Sequence, residues 1–358
     1  MTIAFDSPDK VAKLLADMPM PNEAASAHAR AHQANLTKPL GALGRLEDIA
    51  VWLAGWQAPP PHLPRHPQCL VFAGNHGITR HKVSAYPEEV TAQMVANFKA
   101  GGAAINQLTK SADVPLAIHP IRLDDPTGDI TTTPAMSRAD TLAAMQIGAD
   151  AIPSNCDMLL LGEMGIGNTT IASALAASVL GGERDVIDWV GAGSGLDAKG
   201  IHHKANIIAK ALQRHHTDTH TSTHTHTNTP TTNNPDAVAL LASLGGRELA
   251  AIAGAVLAAR TRHIPVLLDG FVATCACLPL WQTNRHALAH CQISHVSAEA
   301  AHAKILTRLG MEAICNLNMR LGEASGAVVA FSLVKLALAV HTGMASFDQA
   351  GVTKRDTP

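Results

Sequence analysis

The chain has 358 residues, of which 47% are hydrophobic and 16% charged, and a formal net charge of −2. That length can bury a sizeable core, in one large domain or in a large domain with a smaller partner. The near-neutral charge and a 3% share of aromatic residues argue against a nucleic-acid-binding surface and a base-stacking platform.

The sequence opens without a basic stretch followed by an apolar core, so no secretory signal is expected. No run of 18 apolar residues lacks a charge or a turn former, so no membrane-spanning helix is expected either. Residues 8–57 read as helices. Val11, Leu14, Leu15 and Met18 recur at helical spacing, as do Leu46, Ile49, Ala50 and Leu53, with a turn-rich connector at 36–44. The cysteines Cys69, Cys156, Cys275, Cys277, Cys291 and Cys315 are scattered, with neither finger nor redox spacing. They read as buried thiols of a cytoplasmic protein.

A repeating pattern follows, in which a short apolar run ends in glycine and polar residues before a helical segment. Residues 69–73 end in Gly74-Asn75-His76-Gly77, and residues 158–161 end in the glycine-rich stretch 162–170. Residues 186–190 end in Gly191-Ala192-Gly193-Ser194-Gly195, 264–268 in Asp269-Gly270-Phe271, and 292–293 in Ser294-His295; residues 114–118 are a sixth candidate strand. Short buried strands alternating with helices predict an α/β fold, a parallel sheet with helices on both faces. Ligands of such sheets bind outside the carboxyl ends of the strands. A long apolar helix is expected at about 324–342. The organisation expected is a Rossmann-like catalytic domain at 58–330 and a small helical domain built from 1–57 and 331–358. The Thr/His-rich stretch at 215–235 has almost nothing to bury and is expected to be a mobile surface insert. Its histidines could hold a metal in principle, but tandem Thr-His spacing supplies no ordering frame, and no metal site is assigned.

Several segments carry chemistry. The run Gly162-Glu163-Met164-Gly165-Ile166-Gly167-Asn168-Thr169-Thr170 has the build of an anion cradle at a helix start, and without a following Lys-Ser/Thr pair it is not a Walker loop. Residues 191–197 hold glycines at the wrong spacing for a dinucleotide fingerprint, which excludes a nicotinamide-dinucleotide dehydrogenase. Lys204 on the next helix is either a point charge for a phosphate or a solvated surface lysine. His76 reads as a base, a metal ligand or, in preference, a loop histidine bonded to backbone. Tyr86, the only tyrosine, either lines an aromatic pocket or is a turn residue before Pro87. Asp269 and Glu323 are the best isolated acids at element ends. Glu323, among small residues before the last helix, is by itself either a helix-start charge or a base aimed into a pocket.

Taken together, these segments resemble one family. Leu43-Gly44-Arg45-Leu46-Glu47, Val83-Ser84-Ala85-Tyr86-Pro87, the 162–170 run, Leu267-Leu268-Asp269-Gly270-Phe271, Ser294-His295 with Ser297-Ala298-Glu299, and Met319-Arg320-Leu321-Gly322-Glu323 occur in series from about residue 10 to 350. In that order they are similar to the nicotinate-nucleotide–dimethylbenzimidazole phosphoribosyltransferases. The resemblance implies transfer of phosphoribose from nicotinate mononucleotide to a benzimidazole-type base, without cofactor or metal, by a homodimer. It places the catalytic base on Glu323, and on Glu163 a ribose contact or an assisting acid. Gly165, Asn168, Thr169, Thr170, Gly193 and Lys204 fall on phosphate and ribose contacts. It also marks a departure: known members carry serine and glutamine in the base pocket where Tyr86 and Met94 are aligned.

Overall fold

Six strands form one all-parallel sheet: β1 (Pro67–Ala73), β2 (Leu116–Pro120), β3 (Met158–Met164), β4 (Val266–Leu268), β5 (Cys291–His295) and β6 (Ala313–Cys315), in the order β2-β1-β3-β4-β5-β6. The computed structural model describes residues 3–57, 60–181, 183–222 and 236–353. Side chains alternate across the strands and feed two cores. Leu70, Phe72, Leu159, Leu161, Val266 and Leu268 face one side. Cys69, Val71, Ala73, Leu160 and Leu267 face the other.

Helices cover both faces. On the first, Arg138–Asp150 and Arg247–Thr261 pack so closely that a Cβ at Gly148 would sit 1.8 Å from the Ala251 carbonyl oxygen, and one at Gly254 would sit 2.0 Å from that of Met145. Only glycine allows that approach. On the second face lies Ser325–Gly343, which buries Ala327, Val328, Phe331, Val334 and Leu338. Among the described residues it is the one helix long and apolar enough to cross a membrane, and half of its apolar window is buried inside the molecule.

The chain ends meet on that second face. Helices Glu23–Asn35 and Arg45–Trp56 pack together, and Arg45–Trp56 rests on Ser325–Gly343. Gln33 Nε2 lies 2.8 Å from His341 Nδ1, and Leu36 bridges Ser346. Helix Pro8–Ala16 packs instead on Ala237–Leu244 and Leu278–Thr283. The expected boundary between residues 330 and 331 falls inside the last long helix.

Two expectations need correction. Residues 186–190 are not a strand: Glu183–Trp189 is a 3-10 helix. Val186, Trp189 and Val190 are buried while Ile187 and Asp188 are exposed, an i, i+3, i+4 pattern that is helical rather than alternating. The 114–118 candidate is β2, and the strand that sequence reasoning missed is Ala313–Cys315, paired with β5 at the sheet edge. The Thr/His tract does not begin as a loop, because helix Ala198–Ser222 runs through its first residues. Contacts at its start explain this: Arg214 Nε donates to the Ile130 carbonyl at 2.9 Å, and His215 Nδ1 lies 2.8 Å from Ser243 Oγ. Residues 223–235 of the tract lie outside the described residues.

Candidate active site

The strand order reverses between β2-β1 and β3 onward, and such a switch point opens a crevice at the carboxyl ends of the strands. A cleft of about 720 Å³ lies there, walled by residues that follow β3, β4 and β5 and by the approach to the last long helix. It brings together Tyr86, Met94, Glu163, Gly165, Asn168, Thr169, Gly193 and Glu323 from the sequence-derived set.

Glu163 ends β3 with its carboxylate buried, and Asn168 Nδ2 donates to its Oε2. Between them the chain turns at Gly167, whose φ of +92 starts helix Asn168–Leu180. Helix starts expose backbone N–H groups and so favour an anion.

Glu323 stands two residues before Ser325–Gly343. Glu323 and Ala324 both adopt left-handed backbone, with φ of +63 and +62. Two such non-glycine residues cost about 1–3 kcal/mol each and need support from their surroundings. That support is visible. The Glu323 N–H donates to the Glu163 carbonyl at 3.1 Å. Gly162 packs so tightly under Ala324 that a Cβ there would sit 2.0 Å from its nitrogen. Asp269 Oδ1 accepts the Ala327 N–H at 3.1 Å. The strain aims the Glu323 carboxylate into the cleft, where its Oε2 has no protein partner among the described residues.

Three buried carboxylates therefore converge without a lysine or arginine paired to them among the described residues. His295 Nε2 lies 3.7 Å from Asp269 Oδ1. Burial, then repulsion from Asp269, lifts Glu323 to about 7. Burial, then repulsion from Asp269, Glu248 and Glu323, holds Glu163 well above the usual carboxylate range, against a hydrogen bond from Asn168 that lowers it. Burial also raises Asp269, opposed by His295 and by backbone N–H groups of Ala327, Gly326 and Ala324.

Opposite the acids, Lys204 is fully buried and not a solvated surface lysine. Its Nζ donates to Thr169 Oγ1 at 2.8 Å and to the Gly191 carbonyl at 3.4 Å. Burial lowers it to about 8, with Glu299 opposing the shift. It stands behind Thr169 and Gly193 and outside the cleft lining. Thr170 is also fully buried and outside the lining, so the structure does not bring it to the cleft. His76 differs from its preferred sequence reading. Its Nε2 is bonded not to loop backbone but to Glu248 Oε1, at 2.6 Å, and both residues are buried.

Sequence reasoning left out several lining residues. Ser84 and Ser194 join hydroxyls at 2.9 Å across the mouth, and Arg320 Nη1 donates to the Gly193 carbonyl at 3.0 Å. Phe271, Ser297 and Glu299 line the far wall. All except Ser194 lie within the motifs that carried the resemblance, which was the available signal.

The chain is similar to known proteins over nearly its whole length. A family model described as "Phosphoribosyltransferase" matches residues 18–352. Nicotinate-nucleotide–dimethylbenzimidazole phosphoribosyltransferases from Allorhizobium ampelinum and Methylorubrum extorquens are both 48% identical, the first over 96% of each chain and the second over 95% of this chain and 94% of its own. A crystal structure of the same-named enzyme from Thermus thermophilus superposes with a TM-score of 0.78 at 34% identity, over 93% of this chain and 100% of that one.

Proposed function

We propose a residue-level course of reaction for this chain, which belongs to the nicotinate-nucleotide–dimethylbenzimidazole phosphoribosyltransferase family. The enzyme transfers phosphoribose from nicotinate mononucleotide to 5,6-dimethylbenzimidazole, giving α-ribazole 5′-phosphate and nicotinate, in assembly of the cobalamin lower-ligand nucleotide loop.

The observation that carries the course is the Glu323 carboxylate, buried, unpartnered among the described residues and near 7 at the cleft mouth. The donor is an N-ribosyl pyridinium, so its glycosidic electron pair leaves on a neutral pyridine nitrogen. One ring nitrogen of the acceptor attacks the anomeric carbon from the opposite face and inverts β to α. Positive charge builds in the acceptor ring, and its other nitrogen becomes acidic. Glu323 takes that proton. Negative charge on Asp269 and Glu323 also favours the positive charge of the ribosyl centre as it forms. Glu163, at the end of β3 beside Asn168, holds a ribose hydroxyl or assists Glu323 as a second acid. Thr169, Asn168, Gly165 and Gly193 hold the phosphate end, with the Lys204 charge acting through the Thr169 hydroxyl. Thr170 contributes by packing the same helix. Tyr86 and Met94 flank the flat acceptor ring. Holding donor and acceptor in register supplies the rest of the rate.

The proposal extends to a homodimer in the cytoplasm. The first part rests on the family resemblance alone, and free cysteines, buried except for half-buried Cys315, support the second. The small helical lobe belongs to the same proposal, supported by the meeting of the chain ends.

The test is a product assay with nicotinate mononucleotide and a panel of benzimidazoles and purines, with the α-nucleotide read by mass spectrometry. Formation of α-ribazole 5′-phosphate is expected. Binding of the donor without turnover on any base would point to a non-catalytic nucleotide-binding protein.

A further inference from the structure

His302, buried in the first turn of helix Ala301–Leu309, has no part in the course above. Its Nδ1 accepts the Ser297 N–H at 2.8 Å, and its Nε2 lies 3.1 Å from Thr274 Oγ1. The Thr274 hydroxyl in turn donates to the Gly270 carbonyl at 2.8 Å. A backbone N–H can only donate, so Nδ1 is the bare nitrogen and Nε2 carries the hydrogen. The Thr274 oxygen accepts that hydrogen while passing its own to Gly270. The relay thus runs in one direction, from the Ser297 N–H to the Gly270 carbonyl. A second proton on the ring would set N–H against N–H at Ser297. Burial, with repulsion from His295, already drives the ring down to about 3. The groups facing it are Ser297, Thr274, His295 and the Phe271 ring, which meets it edge-on at 6.3 Å.

The two ends of this relay lie side by side on one wall of the cleft, where a Cβ on Gly270 would sit 3.5 Å from Ser297 Cβ. Gly270 follows Asp269, whose carboxylate holds the start of the helix behind Glu323. Ser297 opens the turn that carries Glu299, whose N–H donates to Ser297 Oγ at 3.3 Å and whose carbonyl accepts the His302 N–H at 2.9 Å. Glu299 bears electrostatically on Lys204, and a Cβ on Gly191 would strike its Oε2 at 1.9 Å, so a shift of Glu299 reaches the phosphate side. The approach of His295 Nε2 to Asp269 Oδ1 at 3.7 Å joins the same two strand ends beside it.

We propose that His302 is a positioning residue that, as a neutral imidazole with hydrogen on Nε2, fixes the Asp269–Gly270 loop against the Ser297–Glu299 turn and thereby shapes the donor site. This rests on the phosphoribosyl-transfer reading.

The experiment compares His302→Asn, His302→Gln and His302→Leu with wild type in steady-state turnover of nicotinate mononucleotide and dimethylbenzimidazole across pH. Asparagine keeps an acceptor near Nδ1, glutamine keeps a donor near Nε2, and leucine keeps neither. His302→Leu is expected to raise KM for nicotinate mononucleotide about tenfold, the effect of leaving a buried donor unanswered. KM for the base should change little, and the acidic limb of the pH profile should stay in place. His302→Asn should recover most of the loss, and His302→Gln little of it. Wild-type KM in His302→Leu would overturn the proposal. So would equal loss of kcat and KM in all three variants alongside a lowered Tm, which is the signature of a merely structural residue. If His302→Leu fails to fold, Thr274→Val with the Asn and Gln variants decides. A raised donor KM in Thr274→Val, with the His302→Asn value below that of His302→Gln, supports the relay; wild-type KM in Thr274→Val, with Asn and Gln alike, sinks it. Wild-type enzyme that makes no product would refute the transfer reading itself, a result distinct from all of these.

Discussion

Asp269 Oδ1 accepts the backbone N–H of Ala327 at 3.1 Å, so a carboxylate from the end of β4 caps, across space, the helix that follows Glu323. No residue of that helix's own N-terminus makes a side-chain cap. One acid therefore both anchors the catalytic turn and, by its charge, helps hold Glu323 near 7.

Asp269→Asn separates these two effects. The amide oxygen can still accept from Ala327, but the charge is gone. The acidic limb of the pH profile should move below about 7, since one of the two causes that raise Glu323 is removed. Asp269→Ala should also lose stability, by about 1–2 kcal/mol, as expected for a lost helix cap. Chemical denaturation of both variants checks the second part.

Lys204→Met should weaken donor binding more than it slows turnover. The lysine ammonium sits behind Thr169, and loss of a charge-assisted hydrogen bond of this kind costs about 1.5–3 kcal/mol, or about 10–150-fold in KM for nicotinate mononucleotide. With Lys204 near 8, kcat/KM for the donor in wild type should fall as pH rises through 8, and the variant should lack that limb.

Gly322→Ala should impair activity without disturbing the sheet. Gly322 has a φ of +82, where alanine is strained, and a Cβ there would sit 2.8 Å from Glu163 Oε1. The strain alone costs about 1 kcal/mol, and displacement of Glu163 should raise donor KM. Steady-state kinetics beside a thermal melt tells the two apart.

Glu323→Gln should be more stable than wild type above pH 7. The folded value near 7 exceeds the ordinary 4.5, so the native state binds more protons across that interval. Wild-type stability therefore falls as pH rises from 4.5 through 7, by up to about 2 kcal/mol once the cleft's access to water is allowed for. The glutamine variant lacks that loss. Urea denaturation at pH 5 and pH 8 measures it.

Much of this was legible in the sequence for local reasons. β1, β3, β4 and β5 are apolar runs cut off by glycine or polar residues, and both the strands and their functional ends could be read directly. The 186–190 run looked alike because composition does not reveal which side chains are buried; Trp189 and Val190 face helices, not strands. The three-residue β6 is too short for any periodicity. Whether Lys204 was a phosphate charge or a surface lysine stayed open in the sequence because its partners come from residues 169 and 191, distant along the chain. The Asp269 cap and the His302 relay are likewise invisible locally, since each partner is set by the packing of separate loops. The motif series points to Glu323 and Glu163 together, and both line one cleft.

The most direct test of Glu323 as the proton acceptor is the turnover of Glu323→Gln, with folding confirmed, across pH 5 to 9. The account predicts an acidic limb near 7 in wild type, its disappearance in the variant, and a loss of kcat of about 10²–10⁴-fold. Near-wild-type turnover with that limb intact would contradict it.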